Sequence, residues 1–79
     1  MKQIRNLAEL DVGEHARVAG LYIDGSMRRR LLDIGLTEGT RVICVGKSPL
    51  GDPKAFLIRG SVIALRREES SKINISVLE

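Results

Sequence analysis

Three groups of residues in this chain are of types that do chemistry: the lone thiol Cys44, the lone imidazole His15 and the run Arg28-Arg29-Arg30. A thiolate and an imidazole both bind borderline metals, but zinc sites usually recruit three or four such ligands. One histidine and one cysteine, 29 positions apart, do not supply that set. No second cysteine is present for a disulfide or a Cys-x-x-Cys clamp. Ferrous iron favours imidazole and carboxylate ligands, and a single His with scattered carboxylates gives that chemistry little support. Cys44 lies within Arg41-Val42-Ile43-Cys44-Val45, where a free thiol is expected to serve as a small core hydrophobe. His15, at a turn-to-strand junction among charged residues, is expected at the surface.

The arginine run could bind phosphate or form the solvated flank of a helix, with Asp24 and Asp33 near enough in sequence to pair with it. The loop Ser48-Pro49-Leu50-Gly51-Asp52-Pro53 lacks the Gly-x-x-x-x-Gly-Lys-Ser/Thr pattern whose amides cradle phosphates. No nucleophile and base are spaced for covalent chemistry. The expectation is therefore a protein that is not an enzyme, with no cofactor and no dedicated metal site.

Size points the same way. For 8.7 kDa, area scaling gives about 4,700 Å² folded against about 12,600 Å² unfolded, which accommodates one small core. A single domain over residues 1–79 is expected. The net charge of +3, from 13 basic and 10 acidic residues, is mild for a nucleic-acid binder. No apolar run approaches the 18 or more residues of a membrane span, and Met1-Lys2-Gln3-Ile4-Arg5-Asn6 is unlike a secretory leader. A cytoplasmic protein without membrane insertion is expected.

Hydrophobic periodicity supplies the elements that would position these residues. Leu7 to Val12 reads as a lead-in, followed by a turn at Gly13 and a first strand, Ala16–Leu21. Ser26 is a good N-cap for a helix over Met27–Ile34, in which Met27, Leu31 and Ile34 share a face that Leu32 widens. Gly35 follows as a left-handed cap. Arg41–Lys47, Ala55–Arg59 and Val62–Arg66 read as strands, the last two joined by a tight reversal at Gly60-Ser61. Arg67–Ser71 is a polar turn, and Lys72–Val77 alternates strictly, with its apolar residues at odd numbers. The sum is mainly β: five short strands closing into a small SH3-like barrel, with one short helix after the first strand.

Four motifs, in order, resemble the FeoA family: Arg28 to Leu36, Glu38-Gly39-Thr40-Arg41-Val42, Ser48 to Pro53, and Ile63 to Glu69. The resemblance runs over nearly the whole chain, from about Leu7 to Val77. Glu38 stands where the family's Leu-x-Pro-Gly turn carries proline, while Gly39 keeps the glycine. The resemblance implies an SH3-like domain, related to the C-terminal domain of iron- or manganese-dependent repressors. No winged-helix region precedes it here, which favours a free-standing protein. It further implies a cytoplasmic, non-enzymatic accessory protein of bacterial ferrous-iron uptake. The partner implied is FeoB, a membrane transporter with a cytoplasmic GTP-binding domain.

By alternation, Val42, Cys44, Phe56, Ile58, Ile63 and Leu65 belong to the core. The opposite face then carries Ile43, Val45, Ala55, Leu57, Val62 and Ala64, all apolar where a solvated face would be polar. Such a patch marks an interaction surface, for a partner or for a second copy in a homo-oligomer, unless the helix or N-terminal segment covers it. The candidate partner-binding residues are Ile43, Val45, Leu57 and Val62 on this face, Leu50, Gly51, Asp52 and Pro53 in the loop, and Arg28 and Arg29 on the helix. The alternative is a small barrel that binds nucleic acid or metal as a regulator. Single-strand binding barrels stack bases on aromatics, and Tyr22 and Phe56 are the only two here. The same shortage excludes an SH3-type groove for proline-rich peptides.

Overall fold

The computed structural model describes residues 4–78, so the expected domain of 1–79 extends past the described residues at both ends. The strands are β1 (Ile4–Asn6), β2 (His15–Leu21), β3 (Arg41–Lys47), β4 (Lys54–Ile58), β5 (Ser61–Leu65) and β6 (Ile73–Leu78). The helices are α1 (Gly25–Asp33) and the single turn α2 (Arg67–Ser70), and a 3₁₀ turn occupies Leu7–Glu9. All pairings are antiparallel, in one six-stranded sheet of order β1-β6-β2-β3-β4-β5.

Two expectations are corrected. The described residues form six strands, because Ile4–Asn6 pairs with β6, Ile4 opposite Ser76 and Asn6 opposite Asn74. The sheet is also not closed by hydrogen bonds: β1 and β5 are its edges among the described residues. It bends at two register shifts, between Val18 and Gly20 in β2 and between Cys44 and Gly46 in β3. Bulges of this kind kink a strand and raise its twist. The concave side is filled rather than sealed by a further ladder.

That filling follows the alternation. Val42, Cys44, Phe56, Ile58, Ile63, Leu65, Ile73 and Ile75 point into one cluster, which Leu7 and Leu10 of the 3₁₀ segment and Leu31 and Leu36 at α1 complete. The accessible surface is 4964 Å², close to the size expectation.

Local differences have local causes. α1 begins two residues earlier than expected, with Asp24 as the N-cap and Gly25 turning into the helix at φ +72. Leu31 is buried and Met27 and Ile34 pack against the core, but Leu32 is exposed and does not widen the apolar face. Of the nine residues of this helix, only Leu31 is buried. The β4–β5 loop is Arg59-Gly60, since Ile58 pairs directly with Ser61. Both loop residues have positive φ, 47° and 83°, the two-residue hairpin turn whose twist suits the strands.

Candidate docking surface

Four of the expected docking residues belong to a single exposed sheet face. The registers place His15 beside Ile43, Ile43 beside Leu57 and Leu57 beside Val62, a row across β2, β3, β4 and β5. A second row pairs Ala55 with Ala64. The bulge in β3 leaves Val45 without a partner residue, and its side chain is 45% exposed. Val62 is 64% exposed, Ala64 is exposed, and Ile43, Ala55 and Leu57 are half-buried. Among the described residues the apolar residues by which α1 and the 3₁₀ segment pack, Met27, Leu31 and Ile34 and Leu7 and Leu10, join the core cluster and not this face.

The loop Ser48–Pro53 is held by its own hydrogen bonds. Gly51 N–H donates to the Ser48 carbonyl at 2.8 Å, and Ser48 Oγ donates to the Asp52 carbonyl at 2.6 Å. This leaves Leu50 at the tip, 96% exposed. Asp52 has a structural role instead, its Oδ1 accepting the Arg67 N–H at 2.9 Å at the start of α2. An acceptor at a helix start satisfies a donor with no partner inside the helix.

The helix arginines divide in the same way. Arg28 Nη1 donates to the Leu21 and Ile23 carbonyls, at 3.1 and 3.3 Å, and so ties α1 to the end of β2. Arg29 lines a shallow depression with Arg28, Leu32 and Asp33. The expected pairing of this run with Asp24 and Asp33 does not form. Among the described residues the one ion pair within 4.0 Å joins Arg5 to Glu14.

The three candidate regions do not form one surface. The chain enters β3 from α1 and leaves it into the Ser48–Pro53 loop. Helix and loop therefore lie at opposite ends of a seven-residue strand, about 20 Å apart at roughly 3.3 Å per residue, with the outer face between them.

Cys44 is free and buried, its thiol directed at the Gly46 carbonyl at 3.7 Å, and His15 is exposed, both as expected. Among the described residues no three His, Cys, Asp or Glu side chains converge to hold a metal ion. No helix among them is long and apolar enough to cross a membrane.

Sequence reasoning passed over Arg17, Arg41 and Arg59. Arg17 sits directly opposite Arg41 on the outer face, and Arg59 occupies the turn beyond β4. The three line a depression of about 360 Å³ with Ile43 and Leu57. Arg17 Nη1 donates to the Gly39 carbonyl at 3.0 Å and Arg59 Nε to the Gly35 carbonyl at 2.9 Å. The signal was available for two of them: Arg17 and Arg41 alternate with the core residues Ala16, Val18 and Val42.

Comparison with known proteins places the chain. The FeoA domain family model matches residues 5–77. A fusion of Fe(2+) transport protein A and the Fe(2+) transporter FeoB, from Porphyromonas gingivalis, is 32% identical over 72 residues, 91% of this chain. The chain spans only 8% of that fusion protein's length. The FeoA protein of Chlorobium tepidum superposes with a TM-score of 0.86 at 34% identity, covering 94% of this chain and 70% of that one. The FeoA protein of Stenotrophomonas maltophilia, a prokaryotic SH3 domain protein solved with zinc, gives 0.75 at 27% identity, covering 89% and 87%.

Proposed function

The chain belongs to the FeoA domain family, which is linked to ferrous-iron transport, and from that premise we propose that it is a non-enzymatic, cytoplasmic accessory protein that docks on FeoB. The observation that carries this reading is the Porphyromonas gingivalis protein, in which a domain like this one and a FeoB transporter share one chain. Covalent linkage keeps a weak module at roughly millimolar effective concentration beside its partner. A module that docks from solution has to supply that proximity through its own surface. The strip Ile43–Leu57–Val62, half-buried at its first two residues and exposed at Val62, with exposed Val45 beside it, is such a surface, as an apolar sheet face marks an interaction site. Docking would act by stabilising one conformation of the transporter or its GTP-binding domain, to the extent of its differential affinity for the two states.

The test is a titration of the nitrogen-15-labelled protein with the cytoplasmic GTP-binding domain of the cognate FeoB, with and without nucleotide. Shifts concentrated at Ile43, Val45, Leu57 and Val62 support docking through the sheet face, and shifts at Leu50 and Gly51 move it to the loop. No shift in any nucleotide state removes that domain as a direct partner.

A further inference from the structure

Arg17, Arg41 and Arg59 form a further row alongside the apolar strip, two residues along the chain from His15, Ile43 and Leu57, on the side where α1 delivers the chain into β3. Like charges directly opposite each other in an antiparallel pair are destabilising, yet Arg17 faces Arg41. None of the three has a carboxylate within 4.0 Å among the described residues. Arg17 and Arg59 each use one donor on a nearby carbonyl, whereas the Arg41 side chain makes no hydrogen bond or ion pair among the described residues. Arg59 also holds φ +47, a conformation that asparagine and glycine adopt more readily. Local stability thus opposes this arrangement at two points.

We infer that this depression is an anion-recognition site that receives an acidic segment of a partner protein, with carboxylates on the arginines and leucine- or valine-type side chains on Ile43 and Leu57 in its lining and on Val62 beside it. Charge complementarity selects the carboxylate, since the guanidinium fork matches its two oxygens. The aliphatic floor selects a peptide over a nucleic acid. Bases need an aromatic platform, and Tyr22, the exposed aromatic, lies over Gly20 in β2, outside the lining of this depression. This inference rests on the docking reading and adds the chemistry of the docked segment.

The probe is the capped peptide acetyl-Leu-Asp-Leu-Glu-Leu-amide, compared with its neutral counterpart carrying Asn and Gln, at low and at physiological salt. The acidic peptide is expected to bind at least tenfold tighter, with shifts at the Arg17, Arg41 and Arg59 side-chain Nε–H groups and at the Ile43 and Leu57 amides. Arg41→Gln should erase most of that preference without unfolding the protein, because the Arg41 side chain is exposed and makes no hydrogen bond or ion pair among the described residues. Equal binding of the two peptides, an unchanged preference in Arg41→Gln, or binding of oligouridylate at these residues in place of the peptide would each overturn the inference. A FeoB domain that shifts wild type and Arg41→Gln alike overturns this site and leaves docking standing. Peptide discrimination without any response to the FeoB domain keeps the site and removes that partner.

Discussion

Replacing Lys54 with methionine isolates one interaction that ties the N-terminal segment to the sheet. The Lys54 ammonium donates to the Ala8 carbonyl at 2.9 Å and to the Leu10 carbonyl at 2.8 Å, where the 3₁₀ turn ends. These carbonyls flank Leu7 and Leu10, which are fully buried. Methionine keeps the length and the apolar stem and removes both donors. Hydrogen bonds from a charged group contribute about 1.5–3 kcal/mol each. Lys54 is half-buried, so water reaches part of the site and the sum is discounted to about 2–3 kcal/mol. A 79-residue domain has a total stability of roughly 4–12 kcal/mol at the usual value per residue. The loss is then a large fraction of it, and the melting temperature should fall by roughly 10–20 °C. Equilibrium urea unfolding with an unchanged slope measures the difference directly. A change below about 0.5 kcal/mol, the size of an ordinary surface substitution, would refute the reasoning that these bonds hold the segment down.

Gly35→Ala should cost about 2–3 kcal/mol, because φ is +94 and the new Cβ would come within 2.5 Å of Arg59 Cδ. Gly39→Ala, at φ +90 with open space around the Cβ, should cost only about 1 kcal/mol; thermal unfolding of the two separates strain from collision. Asp52→Ala removes the acceptor at the start of α2 and should cost about 1 kcal/mol in urea unfolding. Arg41→Gln should leave stability unchanged or raise it by about 0.5 kcal/mol, since it relieves the like-charge pairing with Arg17. If the outer face mediates self-association, size-exclusion chromatography with light scattering should show an oligomer that Leu57→Lys converts to monomer; a monomer at high concentration, unaffected by the substitution, excludes that role.

The alternation of Ile73, Ile75 and Val77, and the division of β3 to β5 into core and outer residues, are local properties of extended chain, where successive side chains point to opposite faces. The core face and the unusual apolar face opposite it were therefore legible before any pairing was known. The same holds for Gly35 after α1 and for the exposed tip Leu50. The roles of Asp52 and Arg28 were not legible, because each is decided by a backbone group that the fold brings to it: the Arg67 N–H for one, the Leu21 and Ile23 carbonyls for the other.

What the amino-acid sequence determined by itself was the period-two pattern, the turn glycines and the family to which four ordered motifs belong. Tertiary structure alone decided that Ile4–Asn6 is a strand, since three residues are stabilised only by lying against β6 at the far end of the chain. It also decided that the sheet stays open, that Lys54 reaches back 44 and 46 positions to two carbonyls, and that Arg17, Arg41 and Arg59 share one depression. Each of these depends on register between distant segments. Register is settled by the packing of the whole core, which no local window of residues contains.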